Sequence, residues 1–321
     1  MKKFMLFLFK CLAVSLAAFS LLLLLNYRYL QVMEKPYSDA DKFHYMNSSY
    51  NNIQICNIGS SHGEYAFTYK DLTKEQGYEC FNFAMSSQTY DYDYAILSMY
   101  QKHFADSCLM FIPVSYFSFN NEVVDEKEKQ FLSAKYYTFL SPKYIPSYDP
   151  YIDLVTNRLP ILSAGEDIVK LLPALSIKAH AAESEPSFQE KAWNRYHRHM
   201  DNKEDYFLPE RIDNLYDILA FCEDNHITPV LITTPYTGLY SNLFSWEFKE
   251  EFYQTINAIS QKSGVPYYDY SEDERFSDAL DYFSDADHLN EEGSSYFMEI
   301  IEKEIPEFRE FLRLSKKVSK S

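Results

Sequence analysis

Short apolar runs alternate with amphipathic helical patterns along most of this chain. The helical patterns space apolar residues three or four positions apart, as at Ile212, Leu215 and Leu219. Gly264 is expected to end one of these helices, and Asn290 to cap the start of another. The alternation predicts βαβ units and hence a three-layer α/β/α sandwich with a mostly parallel sheet of about five strands. The predicted strands cover residues 53–58, 80–84, 107–114, 228–235 and 265–270, and the predicted helices 90–105, 211–225, 246–264 and 290–305.

The N-terminal segment differs from everything that follows it. Residues 4–25 are apolar apart from Lys10, and such a segment is long enough to span a bilayer as a helix. Lys2 and Lys3 precede it, so the N-terminus is expected to stay in the cytoplasm. No small-residue cleavage site follows the leucine run, which favours an uncleaved signal anchor over a cleaved signal peptide. Residues from about 30 onward are then expected outside the cytoplasm.

The patterns divide the chain into an anchor, a linker, one α/β domain and a tail. Within the α/β domain, residues 120–207 break the alternation of strands and helices. We interpret them as a helical insertion over the strand ends, acting as a lid or substrate-binding element. A structural flap or a partner-binding surface fits the same pattern. The predicted boundaries are 1–28 for the cytoplasmic stub and anchor, 29–50 for the juxtamembrane linker, 51–310 for the domain and 311–321 for the tail.

Charge and cysteine content narrow the classes of function. The 321-residue chain carries a formal net charge of −17, which repels phosphate backbones and argues against nucleic-acid binding. None of the five cysteines forms a CxxC pair, so small buried hydrophobes are a better interpretation than metal ligands. His197 and His199 lie two positions apart and do not share a helix face, and no metal site or cofactor is expected.

The first apolar run after the anchor stops at Gly59-Ser60-Ser61-His62, which is unusual for the end of a buried strand. A serine nucleophile needs a tight turn, nearby backbone N–H groups and a base within reach. Gly59 supplies the turn, and a helix that starts near residue 63 directs its N-terminal amides back at the hydroxyl. The competing interpretation is that the two serines only cap that helix.

A second polar cluster lies far along the chain, between the fifth predicted strand and the last helix. Asp285 and His288 are three residues apart in one loop, so the carboxylate is able to reach the imidazole. A carboxylate in that place sets the histidine tautomer and stabilises the imidazolium. The competing interpretation is an acidic surface loop with an exposed histidine.

Taken together, the two clusters resemble the conserved blocks of the SGNH (GDSL-type) hydrolases from about residue 51 to 305. Gly59-Ser60-Ser61 resembles the Gly-Asp-Ser block, which implies that Ser61 is the nucleophile. Residues 285–288 resemble the Asp-x-x-His block, which implies that His288 is the base and Asp285 its orienter. Asp287 is the alternative orienter. The resemblance implies an SGNH or flavodoxin-like fold and acyl transfer through a serine ester, without metal or cofactor.

The oxyanion donors are less well matched to that family. The resemblance implies the N–H groups of Ser61 and Ala84 as donors, with alanine in place of the usual glycine. Where the family has an asparagine side chain, this chain offers only Ser115 or Asn120. Further residues that are expected to support the site without taking part in the chemistry are Ser60, His62 and Asp287.

The anchor and the two blocks together resemble extracytoplasmic members of that superfamily. These include D-alanine transfer proteins of teichoic acid assembly and O-acetyl transferases of surface polysaccharides. The resemblance implies an esterase or O-acyltransferase that acts on a cell-envelope glycan or glycopolymer, with a membrane-bound O-acyltransferase as a candidate partner. The rival hypothesis is a non-catalytic SGNH-like scaffold that binds polymer or partner proteins in an envelope assembly.

Overall fold

The protein is described here by a computed structural model. It describes residues 2–32, 38–120, 133–146, 148–165, 168, 186–201 and 205–318.

The centre of the fold is a five-stranded sheet in which every neighbouring pair is parallel. The strand order is β2-β1-β3-β4-β5, the doubly wound order of flavodoxin-like folds. This confirms the predicted fold class, an α/β protein with a mostly parallel sheet of about five strands. The strands are β1 (Ile53–Asn57), β2 (Cys80–Asn82), β3 (Phe104–Pro113), β4 (Ile227–Thr233) and β5 (Tyr267–Asp269).

Helices cover both faces of this sheet and complete the three layers. One face packs against α3, α5 and α6, and the other against α2, α7 and α8. The remaining long helices are the N-terminal α1 and the insertion helix α4. Their bounds are α1 (Lys2–Val32), α2 (Ser61–Ala66), α3 (Tyr90–Tyr100), α4 (Phe188–Met200), α5 (Pro209–Asp224), α6 (Trp246–Ser263), α7 (Glu291–Glu304) and α8 (Pro306–Val318).

Strand β3 shows why the pattern predicted a sheet buried on both sides. Met110 and Ile112 point into the core under one helical layer, and Leu109 and Phe111 into the core under the other. All four side chains are fully buried. Strands buried on both faces form continuous apolar runs, which is the pattern seen here.

Two helix ends follow the predicted signals. Gly264 ends α6 with a φ of 71°, a left-handed conformation that glycine adopts without strain. Asn290 caps α7, and its side chain accepts a hydrogen bond from the Gly293 N–H at 2.9 Å. The loop that carries Asp285 and His288 therefore ends at a fixed point.

Helix α1 is long and apolar enough to cross a membrane, with a mean hydropathy of 2.4 in its most apolar window. Its direction across a membrane stays a prediction. The segment expected to be a juxtamembrane linker forms helical turns at Ser38–Tyr45 and Met46–Ser49. Ala40, Phe43 and Met46 from these turns are buried in the same core as α3.

The insertion consists of short helical pieces and α4 where the structure describes it. The pieces at Pro142–Tyr144, Pro150–Asp153 and Pro160–Ser163 each begin at a proline. Helix α4 has a capping box, in which Ser187 and Glu190 exchange hydrogen bonds. The apolar pattern expected to be helical at 167–182 lies outside the described residues, apart from Ile168.

Gly63 in α2 is the point of closest approach between that helix and the sheet. A Cβ at this position would lie 2.4 Å from the Ile58 carbonyl oxygen and 2.9 Å from the Ala84 Cβ. Glycine to alanine normally stabilises a helix interior by about 1 kcal/mol. Here the steric overlap outweighs that gain.

We therefore expect Gly63→Ala to lower the free energy of unfolding by about 2 kcal/mol or more. The measurement is denaturant unfolding of the purified protein. Gly238→Ala is the comparison variant, because its Cβ would meet the Ser277 oxygen at 3.3 Å, a tight contact that a shift of a few tenths of an ångström relieves, so its loss of stability should be smaller. A Gly63→Ala protein as stable as wild type would show that α2 is free to move away from the sheet.

Candidate active site

The turn between β1 and α2 places Ser61 at the first position of a helix. Gly59 makes the turn with a φ of 109°, a backbone conformation that favours glycine. The Gly59 N–H donates to the Asp93 carboxylate at 2.8 Å. Ser60 occupies the N-cap position, but its side chain makes no capping hydrogen bond. The interpretation of these serines as simple helix caps therefore does not hold for Ser60.

The other end of α2 is held by two asparagines at the ends of neighbouring strands. Asn57 of β1 and Asn82 of β2 are register partners, and their side chains hydrogen-bond at 3.0 Å. Asn82 donates to the carbonyls of Gly63, Glu64 and Phe67, each at 3.1 Å. Carbonyls at a helix end need such partners. The short helix that carries Ser61 is therefore fixed at both of its ends.

Ser61, His288 and Asp285 form a chain of hydrogen bonds, although Ser61 and His288 lie 227 positions apart in the sequence. The Ser61 Oγ lies 2.7 Å from His288 Nε2, and His288 Nδ1 lies 2.9 Å from Asp285 Oδ2. The other carboxylate oxygen of Asp285 accepts the backbone N–H groups of Asp287 and His288. This geometry leaves His288 Nε2 as the acceptor that faces the serine hydroxyl.

A second histidine–aspartate pair lies beneath the first. His62 Nε2 is 3.2 Å from Asp287 Oδ2, and both side chains are buried. On the other side of its ring, His62 Nδ1 is 2.7 Å from the Ser115 hydroxyl. A neutral ring with its proton on Nε2 fits both contacts, because the Ser115 O–H then donates to Nδ1. Asp287 Oδ1 also lies 3.6 Å from His288 Nδ1, but Asp285 Oδ2 lies closer at 2.9 Å, so Asp285 is the carboxylate that hydrogen-bonds to the ring facing Ser61.

Arg195 of α4 joins the two carboxylates. Its Nη2 donates to Asp285 Oδ2 at 2.9 Å, and its Nε lies 3.1 Å from Asp287 Oδ1. The guanidinium is only a quarter exposed. The sequence contained no signal for this contact, because Arg195 lies in the insertion, about ninety residues before the loop that it binds.

Burial and the ion pairs set the charge states of the site. Burial tends to lower the pKa of His288, but Asp287 and Asp285 outweigh it and raise that pKa above its usual value. Burial lowers the pKa of His62, which keeps that ring neutral. Burial opposes ionisation of both carboxyls, yet His288, His62 and Arg195 hold the pKa of Asp287 well below normal. The pKa of Asp285 is also lowered, against burial, mainly by His288.

One potential metal-ligand cluster lies in this site. Ligand atoms of His62, Asp287 and His288 fall within 4.8 Å of one another. However, Asp287 Oδ1 already faces the Arg195 guanidinium at 3.1 Å. A fixed positive charge on the same carboxylate opposes a metal cation. These residues are better suited to an ion-pair network than to a metal centre.

The oxyanion donors expected from the sequence are engaged elsewhere. The Ala84 N–H donates to Asn82 Oδ1 at 3.0 Å, because the strand-end asparagine turns back on the loop that follows it. The Ser115 hydroxyl faces His62, as described above, and its N–H donates to the Ser118 hydroxyl at 2.7 Å. The Asn120 amide donates to the His199 carbonyl at 3.0 Å. Only the Ser61 N–H keeps its expected place, at the start of α2.

The loop after β2 packs against α2. Ser87 in this loop has a φ of 55°, a left-handed conformation that is uncommon for a non-glycine residue. Its neighbour Ser86 donates its hydroxyl to Glu64 of α2 at 2.9 Å. The half-buried Lys42 and the buried Lys135 donate to the carbonyls of Ala84 and Ser86. These contacts fix the backbone of residues 84–87 beside the helix that carries Ser61.

A small cavity of about 20 Å³ lies behind the turn, between Gly59, Asp93 and Asn120. Asp93 Oδ2 and Asn120 Oδ1 are both buried and lack a hydrogen-bond partner among the described residues. A cavity of this size accommodates one water molecule, which is able to donate to both oxygens. Burial raises the pKa of Asp93 to about 7. Asn120 lines this cavity together with Gly59 and Asp93, and its amide hydrogen bond to the His199 carbonyl connects the cavity wall to α4.

The two histidines of α4, His197 and His199, each contact a neighbouring side chain. His199 stacks on Phe117 at 3.9 Å and hydrogen-bonds to the Tyr240 hydroxyl at 2.6 Å. His197 faces Asp201 at 2.8 Å. Their side chains therefore do not converge, in agreement with the spacing argument against a metal site on this helix.

The cysteines of the folded domain are buried and unpaired. Cys56, Cys80, Cys108 and Cys222 are free thiols inside the core, and Cys11 is a free thiol on α1. This confirms their interpretation as small buried hydrophobes within the domain.

No known family model matches this chain, and no curated protein matches its sequence. Among solved structures, it is similar to a GDSL-like lipase from Bacteroides thetaiotaomicron, with 11% identity, a TM-score of 0.38, and coverage of 83% of this chain and 96% of that one. It is similar to a protein assigned as an acylhydrolase from Bacteroides fragilis, with 12% identity, a TM-score of 0.39, and coverage of 87% and 99%. A protein assigned to the lipolytic G-D-S-L family from Desulfitobacterium hafniense has 13% identity, a TM-score of 0.33, and coverage of 78% and 96%. Structures similar to this chain thus include GDSL-like lipases and acylhydrolases.

Proposed function

We propose that this protein is a serine esterase or O-acyltransferase of the SGNH type, anchored in a membrane and acting outside the cytoplasm. The observation that carries the proposal is the aligned contact of Ser61 Oγ, His288 and Asp285, at 2.7 Å and 2.9 Å. Such spacing matches a nucleophile, a base and an orienting carboxylate.

The proposed reaction has two steps that share one base. The Ser61 oxygen attacks an ester or thioester carbonyl carbon while its proton moves to His288 Nε2. Asp285 stabilises the imidazolium, which then gives the proton to the departing alcohol or thiol and leaves an acyl-serine. In the second step, water or a sugar hydroxyl loses its proton to His288 and attacks the acyl carbon. The bond from that carbon to Ser61 Oγ then breaks, and His288 returns the proton to the serine oxygen. Hydrolase and transferase differ only in that second nucleophile.

The oxyanion of each tetrahedral intermediate needs N–H donors that are not already engaged. The Ser61 N–H is the first donor, since it begins α2 and has no residue four positions earlier within that helix. We assign the second donor to the backbone at Ser87, in place of Ala84. The left-handed conformation at Ser87 and the two lysine contacts that fix its loop support this assignment.

The acceptor is proposed to be a cell-envelope glycan or glycopolymer. The positively charged start of α1 favours a cytoplasmic N-terminus, which places the catalytic domain on the opposite side of the membrane. An exposed aromatic ring suited to stacking on sugars lies beside the site, since Tyr65 is 46% exposed and its ring lies 5.1 Å from the His288 ring. A membrane-bound O-acyltransferase remains the proposed source of acyl groups.

The rival hypothesis, a non-catalytic scaffold, is favoured where Ser61 Oγ and His288 lie beyond hydrogen-bond range and no room is left for an acyl group. The 2.7 Å contact between Ser61 and His288 favours catalysis instead. A non-catalytic scaffold also does not explain why the half-buried Ser61 is aligned with the His288–Asp285 pair.

Ser61→Ala is expected to abolish labelling by a serine-reactive fluorophosphonate, because the probe reacts only with an activated hydroxyl. Gel fluorescence of the purified full-length protein measures the labelling. Ser60→Ala is the matched control and should label like wild type, since the Ser60 side chain makes no capping contact. Equal labelling of wild type and Ser61→Ala, or none in either, would refute the assignment of the nucleophile.

The labelling rate of wild type should rise with pH, with its midpoint above 6.5. His288 acts as a base only when neutral, and its pKa is raised by Asp287 and Asp285 against the effect of burial. Asp285→Asn removes part of that effect, so the midpoint should move to lower pH while the maximal rate falls on the order of 10⁴-fold. A wild-type profile that is flat from pH 5 to 9 would contradict the role of His288.

A further inference from the structure

Asp285 and Asp287 place two negative charges close together in one loop. Two carboxylates so close together repel, and without a nearby cation they favour binding of a proton, most readily on the adjoining His288. Asp287 has no solvent-exposed side-chain surface, so water does not screen it. The arrangement therefore needs a fixed cation that touches both groups.

Arg195 meets that need with the planar geometry of its guanidinium. Nη2 contacts Asp285 and Nε contacts Asp287, so a single side chain spans both carboxylates. With both carboxylates ionised and both histidines neutral, Arg195 leaves the cluster at a formal charge of −1. When His288 takes the serine proton, the cluster becomes neutral. The charge balance therefore favours the protonated state that forms during the reaction.

The contact with Arg195 also fixes the rotation of the Asp285 carboxylate. Oδ2 accepts from Arg195 and faces His288, both at 2.9 Å, while Oδ1 accepts two backbone N–H groups. All of its acceptor directions are therefore used in one orientation. An asparagine or a rotated carboxylate would lose one of these contacts.

We propose that Arg195 is a positioning residue that holds Asp285 and Asp287 as a paired acceptor for His288, so that proton transfer from Ser61 depends on the docking of α4. The proposal rests on the esterase or acyltransferase function proposed above. It assigns the insertion a role in setting up the catalytic base, beyond covering the strand ends.

The titratable and polar groups that face His288 come from its own loop, from α2 and from α4. Arg195 lowers the pKa of His288, in opposition to the two carboxylates. Loss of the guanidinium should therefore raise the pKa at which His288 becomes neutral. The groups concerned are Asp285 and Asp287 from its own loop, Ser61, His62 and Tyr65 from α2, and Arg195 with the more distant His199 from α4.

The test compares Arg195→Gln, Arg195→Lys and the control Arg198→Gln, which removes the same charge from an exposed position of α4. In Arg195→Gln, the midpoint of the labelling-rate profile should move up by about one pH unit, a loss of about tenfold at pH values below the midpoint. Arg195→Lys should keep the midpoint but lower the plateau, because one ammonium does not span both carboxylates. Arg198→Gln should match wild type.

A titration of ring-labelled histidines by NMR, with His288→Asn to assign the signal, provides a readout that needs no reaction. The His288 midpoint should rise in Arg195→Gln and stay unchanged in Arg198→Gln. A wild-type protein that does not label, but whose histidine midpoint shifts in this way, would refute the enzyme and keep the role of Arg195. Labelling and histidine midpoints of Arg195→Gln that equal those of wild type would overturn the role of Arg195 alone.

A second inference comes from a different contact, at the end of α1. Asn26 directly follows the apolar run and is 6% exposed. Its Nδ2 donates to the Arg158 carbonyl at 3.2 Å, and its Oδ1 accepts the Ile161 N–H at 3.2 Å. Tyr29, one turn further, packs against Ile161 and Ala164. The insertion is thus attached to the point where the apolar helix ends.

Residues around this attachment expose apolar and cationic side chains. Tyr151, Leu154 and Leu162 are 68%, 39% and 52% exposed. The Arg158 side chain is 71% exposed, and its Nε lies 3.4 Å from Asp153 Oδ2, a surface ion pair made through Nε rather than the two Nη groups. Tyrosine and arginine are typical of membrane interfaces, where arginine contacts anionic headgroups. Asn26 lies one residue, about 1.5 Å of helix, beyond the apolar run, so the attached segment lies at interface depth if α1 spans the bilayer.

We infer that residues 150–164 rest on the headgroups of the bilayer that holds α1. This inference rests on the proposed membrane anchor, but it does not depend on catalysis. The occupant of the surface is the lipid bilayer itself, because the surface is continuous with the proposed membrane-spanning helix.

The test uses the full chain in lipid nanodiscs, in a Cys11→Ser background, with an environment-sensitive fluorophore on Leu162→Cys. Trp246→Cys, at an exposed position of α6, is the matched control. Nitroxide lipids labelled at the headgroup should quench the probe at 162 at least about threefold more than the probe at 246, since such quenching requires contact with the interface. Equal quenching at both sites would contradict contact of residues 150–164 with the headgroups, but not the membrane anchor. A chain that does not enter the nanodiscs would contradict both the headgroup contact and the anchor.

Discussion

The charge of Asp287 is the constraint around which the site is organised. Its side chain has no exposed surface, and an unpaired carboxylate in such a place costs far more than a protein of this size can lose. His62, Arg195 and His288 surround it and come from α2, the insertion and the loop before α7. Removal of one partner would leave the charge under-compensated. The positions of these three elements are therefore coupled by one buried charge.

The sequence was sufficient to predict the sheet and the residues that meet at its edge. Parallel strands end at the same edge, so a motif after β1 and a motif after β5 lie on the same side of the sheet. Because β3 and β4 separate these two strands, the strand order alone does not bring the motifs into contact. Ser61, His288 and Asp285 were named from their resemblance to the SGNH blocks, and their catalytic roles stay proposals.

The remaining parts of the site depended on tertiary contacts that no local pattern encodes. Arg195 lies on a polar helix whose docking is set by stacking of His199 on Phe117 and by the Asn120 amide. The Ala84 N–H, an expected oxyanion donor, donates instead to the side-chain oxygen of Asn82, whose side-chain amide nitrogen binds the end of α2. Both outcomes follow from side chains that serve two partners. Periodicity and motif spacing carry no information about such shared contacts.

Asn26 also changes how the domain relates to its anchor. A catalytic domain on a flexible tether samples a volume whose radius grows with the linker, so it searches for acceptors at many heights. The two hydrogen bonds between Asn26 and the insertion favour a fixed orientation over that search. If α1 spans the membrane, the Ser61 hydroxyl is held at one distance from the lipid surface. For the proposed acyl transfer, that distance would limit which acceptor groups reach Ser61.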